Sequence, residues 1–226
     1  MEVALIASLI LLPTFVGGLL SVIKVQPVRR VIAYIGTVLL MALTGYAAWQ
    51  FLGESRGLAV PAPWAGYVGY GMLAIEVLVA AWLFWLSVKA QRWLSAIFVL
   101  VQISVIAPLE LTHRLPLAEH PLLVDQFAVV MALIIGFVGG LICIYAPAYM
   151  QGFHKHHPEF KDRRRTFFGT LFLFLGAMFG LVFSNDLVWL YFFWEITTLC
   201  SFLLIGYKQT EESKESAFRA LVMNLL

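Results

Sequence analysis

The sequence predicts an all-α fold, a polytopic transmembrane helix bundle with about seven full spans and the start of an eighth. Three observations carry that prediction. Of the 226 residues, 62% are hydrophobic and 12% are charged, against roughly 25% charged in soluble domains. The apolar residues fall into runs of about 20, the length a helix needs to cross the hydrocarbon core of a bilayer. The basic residues between those runs alternate from loop to loop, as the loops of a multispanning protein do. The mean hydropathy of +0.89 agrees.

The spans fall at 3–23, 31–52, 66–88, 93–109, 124–146, 167–184 and 187–207. A further helix starts near Ser216 and reaches the end of the sequence at Leu226. The first span lacks the basic flank of a cleaved signal peptide, so it reads as retained. The stretch 53–65 holds Gly53, Gly57, Pro61 and Pro63, which is turn chemistry. Ser184-Asn185-Asp186 is a tight turn between two spans, and 147–165 is the longest connection on the other side. Asp125 and Asp186 each stand just before a span, where a carboxylate caps a helix and meets its positive end. The chain reads as a single transmembrane domain over 1–226, with N-terminal spans at 1–123 and a distinct segment at 124–226.

One set of loops carries Lys24, Arg29, Arg30, Lys89, Arg92, Lys155, Lys161, Arg163, Arg164, Arg165, Lys208, Lys214 and Arg219, and the opposite set only Arg56 and Arg114. The positive-inside rule then puts the N-terminus outside and the basic loops in the cytoplasm, in the inner (cytoplasmic) membrane of a cell. The net charge of +2 sits in these loops and gives no sign of nucleic-acid binding. Cys143 and Cys200 lie in spans and form no C-x-x-C pair, so neither a disulfide framework nor an iron–sulfur ligand set is expected in this chain.

The residues with chemistry are few. Glu195 stands in the middle of the apolar run Leu187–Gly206. An ionisable group there costs roughly 3 kcal/mol to insert. Such a group faces a bundle interior or a hydrated cavity, which reads as a proton or ion relay. Thr198 shares its helix face at i+3, and Thr197 and Ser201 form another polar stripe at i, i+4. These hydroxyls either support a proton path or bond back to their own helix. Glu76 is a second carboxylate at the middle of a span. It is either a relay or a protonated group that joins helices by hydrogen bonds. Gln102 lies at comparable depth in the next span and is its expected partner. Gly69 and Ala80 share the Glu76 face and would let a neighbouring helix approach. His154, His156 and His157 precede Pro158 beside a basic run that disfavours a metal cation, so the cluster reads as a solvated or headgroup-facing loop. No histidine is placed inside a span, which argues against a membrane haem.

The second half resembles the large antiporter-like subunits of respiratory complex I, Mrp-type cation/proton antiporters and membrane-bound energy-converting hydrogenases. The residues carrying the resemblance are Val124-Asp125-Gln126-Phe127, Tyr145-Ala146-Pro147-Ala148-Tyr149-Met150, Arg165-Thr166-Phe167-Phe168 and Asn185-Asp186-Leu187. The longest stretch runs from Trp194-Glu195-Ile196-Thr197-Thr198-Leu199 to Gly206. The resemblance implies that Glu195 is the glutamate that pairs with a lysine on a later, broken helix and tunes a central hydrophilic axis carrying H⁺ or Na⁺. It also implies that the chain is the first part of such a subunit, with that lysine helix beyond Leu226.

Two features depart from the family pattern. The family usually has three spans before the glutamate hairpin, whereas five are counted here, the extra pair at 66–109 carrying Glu76. The position where complex I relatives often carry a basic residue holds Leu225, with Asn224 before it. The extra hairpin and the wording Thr197-Thr198-Leu199-Cys200-Ser201-Phe202 look more like the hydrogenase branch. The expectation is an ion-translocating membrane subunit of a redox-driven complex, of the energy-converting hydrogenase type. Its alternatives are a complex I or Mrp subunit, or a structural membrane anchor. No cofactor is expected in this chain. Iron–sulfur clusters and a nickel–iron centre would belong to partner subunits, the partners being other membrane subunits, a peripheral redox arm and the bilayer.

Overall fold

The computed structural model of the chain describes residues 2–59, 62–111 and 120–225, side chains excepted at 62–66, 107 and 109–111. Its helices are α1 (Glu2–Val22), α2 (Gln26–Phe51), α3 (Ala62–Lys89), α4 (Trp93–Leu111), α5 (Gln126–Leu133), α6 (Gly140–His156), α7 (Arg164–Phe183), α8 (Leu187–Ile205) and α9 (Glu211–Leu225). A π-helical segment, Ile134–Gly139, joins α5 to α6 without a break. Among the described residues, six helical stretches are long and apolar enough to cross a membrane by length and composition, and Trp93–Ile106 is a shorter apolar helix. The chain is thus an all-α multipass membrane bundle.

Three boundaries differ from expectation for identifiable reasons. α2 begins at Gln26, ahead of the apolar run, because Pro27 occupies the first turn, where its missing N–H costs nothing. α9 begins at Glu211, with Glu211 and Glu212 at the positive end of the helix. The expected connection 147–165 is mostly helix, since α6 continues through Pro147 to His156. The π segment and Pro147 interrupt the regular ladder within one long span, and packed neighbours make such interruptions tolerable in a membrane.

The two ends of the bundle differ. At one end β1 (Arg56–Leu58) pairs antiparallel with β2 (Leu122–Val124), and Leu122 also bridges to Ser184. The turn chemistry of 53–65 predicts a loop there, and the strand Arg56–Leu58 lies within it. The pairing ties the expected outer loop and turn together, with Asn185 N donating to Pro121 O at 2.8 Å and its side chain to His120 O at 3.0 Å. Arg56 is salt-bridged to Glu2 at 2.7 Å at this end, while Arg114 and His113 lie outside the described residues. At the other end Arg30 donates to Gln151 at 2.6 Å and Arg164 to Gln26 at 3.2 Å. Segments assigned from charge alone to one side of the membrane therefore meet in space. Both expected caps are present: Asp125 Oδ1 accepts from Ala128 N at 2.7 Å, and Asp186 Oδ1 from Val188 N at 2.8 Å.

The main core packs α1, α2, α5, the π segment, α6, α7 and one side of α8, with Phe172, Phe179, Phe183, Leu9 and Leu20 fully enclosed. A second core joins α3 and α4 to α8 and α9 through Ala80, Leu83, Val99, Leu199, Phe202, Phe218 and Leu221. Small residues make the tightest crossing, between α1 and α7. A Cβ on Gly17 would lie 2.7 Å from the Gly169 carbonyl oxygen, and one on Gly176 would lie 2.8 Å from that of Ile10. Backbone against backbone is how membrane helices gain packing when no hydrophobic drive separates protein from lipid. In α2, Thr37 and Thr44 are buried and bond back to Ala33 O and Leu40 O at 2.7 and 2.8 Å. They face Gly136 and Gly140, where a Cβ would come within 2.8 Å of Thr44 Cβ and of Met41 Cγ.

A paired substitution tests the crossing. Gly17→Leu should destabilise the protein by about 1–3 kcal/mol, the usual cost of overpacking. Gly18→Leu, next door with open space at its Cβ, should be neutral. Thermal unfolding in detergent reads the difference, and equal melting temperatures for the two variants would refute the close α1–α7 contact.

Candidate functional site

α8 carries Glu195 8 residues beyond Leu187, about 12 Å along the helix axis from its start. Its Oε1 accepts a hydrogen bond from the Tyr191 hydroxyl at 2.9 Å and one from Gln102 Nε2 at 2.8 Å. Gln102 Nε2 also donates to the Tyr191 oxygen. Carboxyl, phenol and amide thus form a closed triangle between α8 and α4. All three groups are partly buried.

Glu76, on α3, is 5% exposed. It lines a narrow cavity with Tyr191 and Glu195, walled by Leu73, Val99 and Ile103. The structure therefore brings Glu76, Gln102, Tyr191 and Glu195 to one place from three helices. The amide nitrogen of Gln102, one span along from Glu76, donates to α8. Equal depth in two neighbouring spans gives equal height but not equal azimuth, so depth alone could not choose between Glu76 and Glu195. Gly69 is a correction, since its Cβ position meets open space and brings no helix near, whereas Ala80 is buried.

The hydroxyls divide. Thr197 Oγ1 donates to Trp194 O at 2.8 Å and Ser201 Oγ to Thr197 O at 2.9 Å. Both bond back to their own helix, the local alternative open to such residues. Thr198 is 5% exposed but contributes nothing to the described lining of the cavity. Tyr191 was missed in the sequence, where it is one aromatic among Tyr191-Phe192-Phe193-Trp194. Its i, i+4 spacing to Glu195 was the available signal.

The histidines are not a uniformly solvated loop. His154 and His156 belong to the last turn of α6, and His154 Nε2 meets the Tyr207 hydroxyl at 2.7 Å with only 11% of its side chain exposed. The ring is held down by aromatic neighbours Phe153 and Tyr207. His157 pairs with Glu159 at 3.0 Å. Among the described residues no group of three or more His, Cys, Asp or Glu is placed to hold a metal ion.

The triangle allows a specific chemistry. A proton taken up on Glu195 Oε2 leaves both bonds at Oε1 intact, because a carbonyl oxygen accepts as a carboxylate oxygen does. The group can thus change charge without losing its anchorage. Tyr191 and Gln102 can each both donate and accept, so the contacts around the carboxyl can reorient as a proton passes.

The structure is therefore a multipass helix bundle with a buried polar cluster holding two carboxyl groups at the middle of its helices. The family described as NADH-ubiquinone oxidoreductase (complex I), chain 5 N-terminus, matches residues 118–163. The family described as NADH:quinone oxidoreductase/Mrp antiporter, TM, matches residues 184–226, the block that holds Tyr191 and Glu195. The chain is 39% identical over 108 residues to NAD(P)H-quinone oxidoreductase subunit 5, chloroplastic, of Adiantum capillus-veneris, covering 47% of this chain and 14% of that relative. It is 43% identical over 107 residues to NADH-quinone oxidoreductase subunit L of Mycobacterium tuberculosis (strain ATCC 25618 / H37Rv), covering 47% of this chain and 16% of the relative. The chain thus spans only a small part of the length of these relatives. In residues 118–163 and 184–226 the chain is similar to antiporter-like subunits of the complex I and Mrp family.

The triangle makes its own prediction. Tyr191→Phe and Gln102→Leu should each destabilise by roughly 0.5–2 kcal/mol, the range of interhelical hydrogen bonds in membranes. The double variant should cost less than the sum, because both act on one oxygen. Strict additivity in denaturation measurements would break the proposed coupling.

Proposed function

We propose that this chain forms part of an ion-translocating subunit, carrying H⁺ or Na⁺, in a redox-driven membrane complex of the complex I subunit 5 and subunit L type. The observation that carries this reading is the placement of Glu195. It lies in the antiporter-matched block, at mid-span, bonded to Gln102 and Tyr191 and facing the same cavity as Glu76. The names of the relatives favour complex I over the hydrogenase branch suggested by the extra hairpin and the Thr197–Phe202 wording. In this reading the chain supplies part of an ion path, with Glu195 as the loadable carboxyl and Glu76 as a second carboxyl on the same cavity. Redox cofactors reside on partner subunits. The N-terminus lies on the outer side and the basic end of the bundle faces the cytoplasm.

Glu195→Gln keeps the shape and the acceptor oxygen but removes the proton-binding group. The variant complex should assemble and turn over with artificial electron acceptors while its ion-to-electron ratio in reconstituted vesicles falls. An unchanged ratio would sink the relay role and leave the anchor reading. For Glu76, the Gln variant separates the two roles. A relay loses ion flux on Glu76→Gln with assembly intact, whereas a group that only joins helices tolerates Gln and is weakened by Leu.

Orientation has its own measurement. A cysteine at Gly57 should react with an impermeant reagent added outside, and cysteines at Gln91 and His157 should not. The reverse labelling pattern would overturn the assignment.

A further inference from the structure

At the basic end of the bundle, α2, α6 and α7 form a narrow recess that opens to the outside, with about 20 Å³ of space for a water-sized group. Arg29, Arg30 and Arg164 line it, with Gln26, Pro147 and Phe168. Arg29 is 5% exposed, which is unusual for an arginine, and its guanidinium stacks over the Phe168 ring at 5.6 Å. Among the described residues no carboxylate lies at ion-pair distance from it. The nearby Asp162 is engaged elsewhere: Arg164 grips it with Nε at 2.9 Å and Nη2 at 2.6 Å. That grip holds the Asp162 carboxyl well below the usual carboxylate range. Arg30 is held at the rim by Gln151, a neutral amide. Of the three guanidinium groups on this recess, Arg164 is bound to Asp162, and among the described residues Arg29 and Arg30 have no carboxylate at ion-pair distance. A buried cation left in this state is costly unless an anion completes it.

We propose that Arg29 and Arg30, beside the Asp162-bound Arg164, form a binding site for a phosphate group, presented by an acidic phospholipid headgroup or as free phosphate. The planar fork of arginine matches phosphate oxygens in pairs. A basic pocket between membrane helices on the side rich in Lys and Arg is where acidic headgroups lie. The aromatic floor at Phe168 keeps Arg29 in place, so the site is built before the anion arrives. The inference concerns the end of the bundle and stands apart from the role of Glu195.

The experiment uses the full-length protein isolated with its copurifying subunits, stripped of lipid in detergent. Binding and thermal protection are measured with phosphatidylglycerol in phosphatidylcholine nanodiscs, with phosphatidylcholine alone, and with inorganic phosphate. Phosphatidylglycerol should bind and protect where phosphatidylcholine does not. Arg29→Gln should weaken it roughly fivefold, the factor matching about 1 kcal/mol per basic residue near the surface. Lys155→Gln removes the same charge from an exposed position outside the recess and should leave binding nearly unchanged. Arg30→Gln, also at an exposed position, carries the test should the Arg29 variant fail to fold. Competition by inorganic phosphate identifies the free anion as a source, and its absence identifies the headgroup; both outcomes support the site. Equal losses for Arg29→Gln and Lys155→Gln, or for Arg30→Gln and Lys155→Gln, mean diffuse surface charge and overturn it. No preference for phosphatidylglycerol and no phosphate binding overturn it as well.

Discussion

The contact of Glu195 Oε1 with Gln102 and Tyr191 is the interaction around which this bundle is arranged. α8 contributes to both cores. Phe192, Phe193, Ile196 and Cys200 join the main one, and Leu199 and Phe202 join the second. Glu195 sits between these faces. It turns to the α3–α4 hairpin, where an amide meets it from α4 and Glu76 lines the shared cavity from α3. In water such contacts would be worth little, because solvent competes for each group. At the middle of a membrane span, loss of a partner leaves a polar group with no solvent to turn to. The hairpin is thus held against α8 by polar contacts as well as by the Ala80, Leu83 and Val99 packing.

The remainder of the bundle shows the complementary strategy. α1 meets α7 with almost no side chain between them at Gly17 and Gly176, and α2 meets the π segment and α6 through Gly136 and Gly140. These crossings are close, with small residues letting the backbones approach. Interior positions are closely filled by aromatic rings such as Phe172, Phe179 and Phe183. A hydroxyl in these regions bonds back to its own helix, as Thr37 and Thr44 do. Close packing lies on one side of α8 and a hydrogen-bonded seam on the other, and the two mid-span carboxyls, Glu76 and Glu195, are on the seam side.

How much of this was legible in the sequence follows from what each signal measures. Apolar run length reports where a helix can cross a membrane, and it marked the spans to within a few residues where the flanks are simple. It failed at α2, α6 and α9, whose helical turns extend into polar sequence beyond the hydrocarbon core. Local chemistry was legible at Asp125 and Asp186, because a cap needs only its own neighbours. Long-range pairing was not. β1 and β2 are separated by more than 60 residues and are three residues each, so neither carries enough pattern to announce its partner. The carboxyl site was half legible. The cost of a buried charge singled out Glu195 and Glu76, and depth singled out Gln102. Rotation of α4 about its axis, which decides what Gln102 touches, is set by packing of apolar side chains that look alike in sequence.

The α3–α4 hairpin shows why that rotation matters. A pair of spans leaves the orientation of every later helix unchanged, so the charge pattern of the loops is silent about what the hairpin does. A mere spacer would bring apolar faces to lipid and to α8. This one presents a carboxyl and an amide at the depth of Glu195, and the amide nitrogen reaches the same oxygen that Tyr191 reaches from within α8. Polar residues at mid-membrane are costly on any surface facing lipid. Two of them stand together on this hairpin, Gln102 bonded to the carboxyl of α8 and Glu76 lining the same cavity, which makes the hairpin part of the polar site itself. The family-matched block supplies Glu195 and Tyr191, and the hairpin outside that block supplies Glu76 and Gln102.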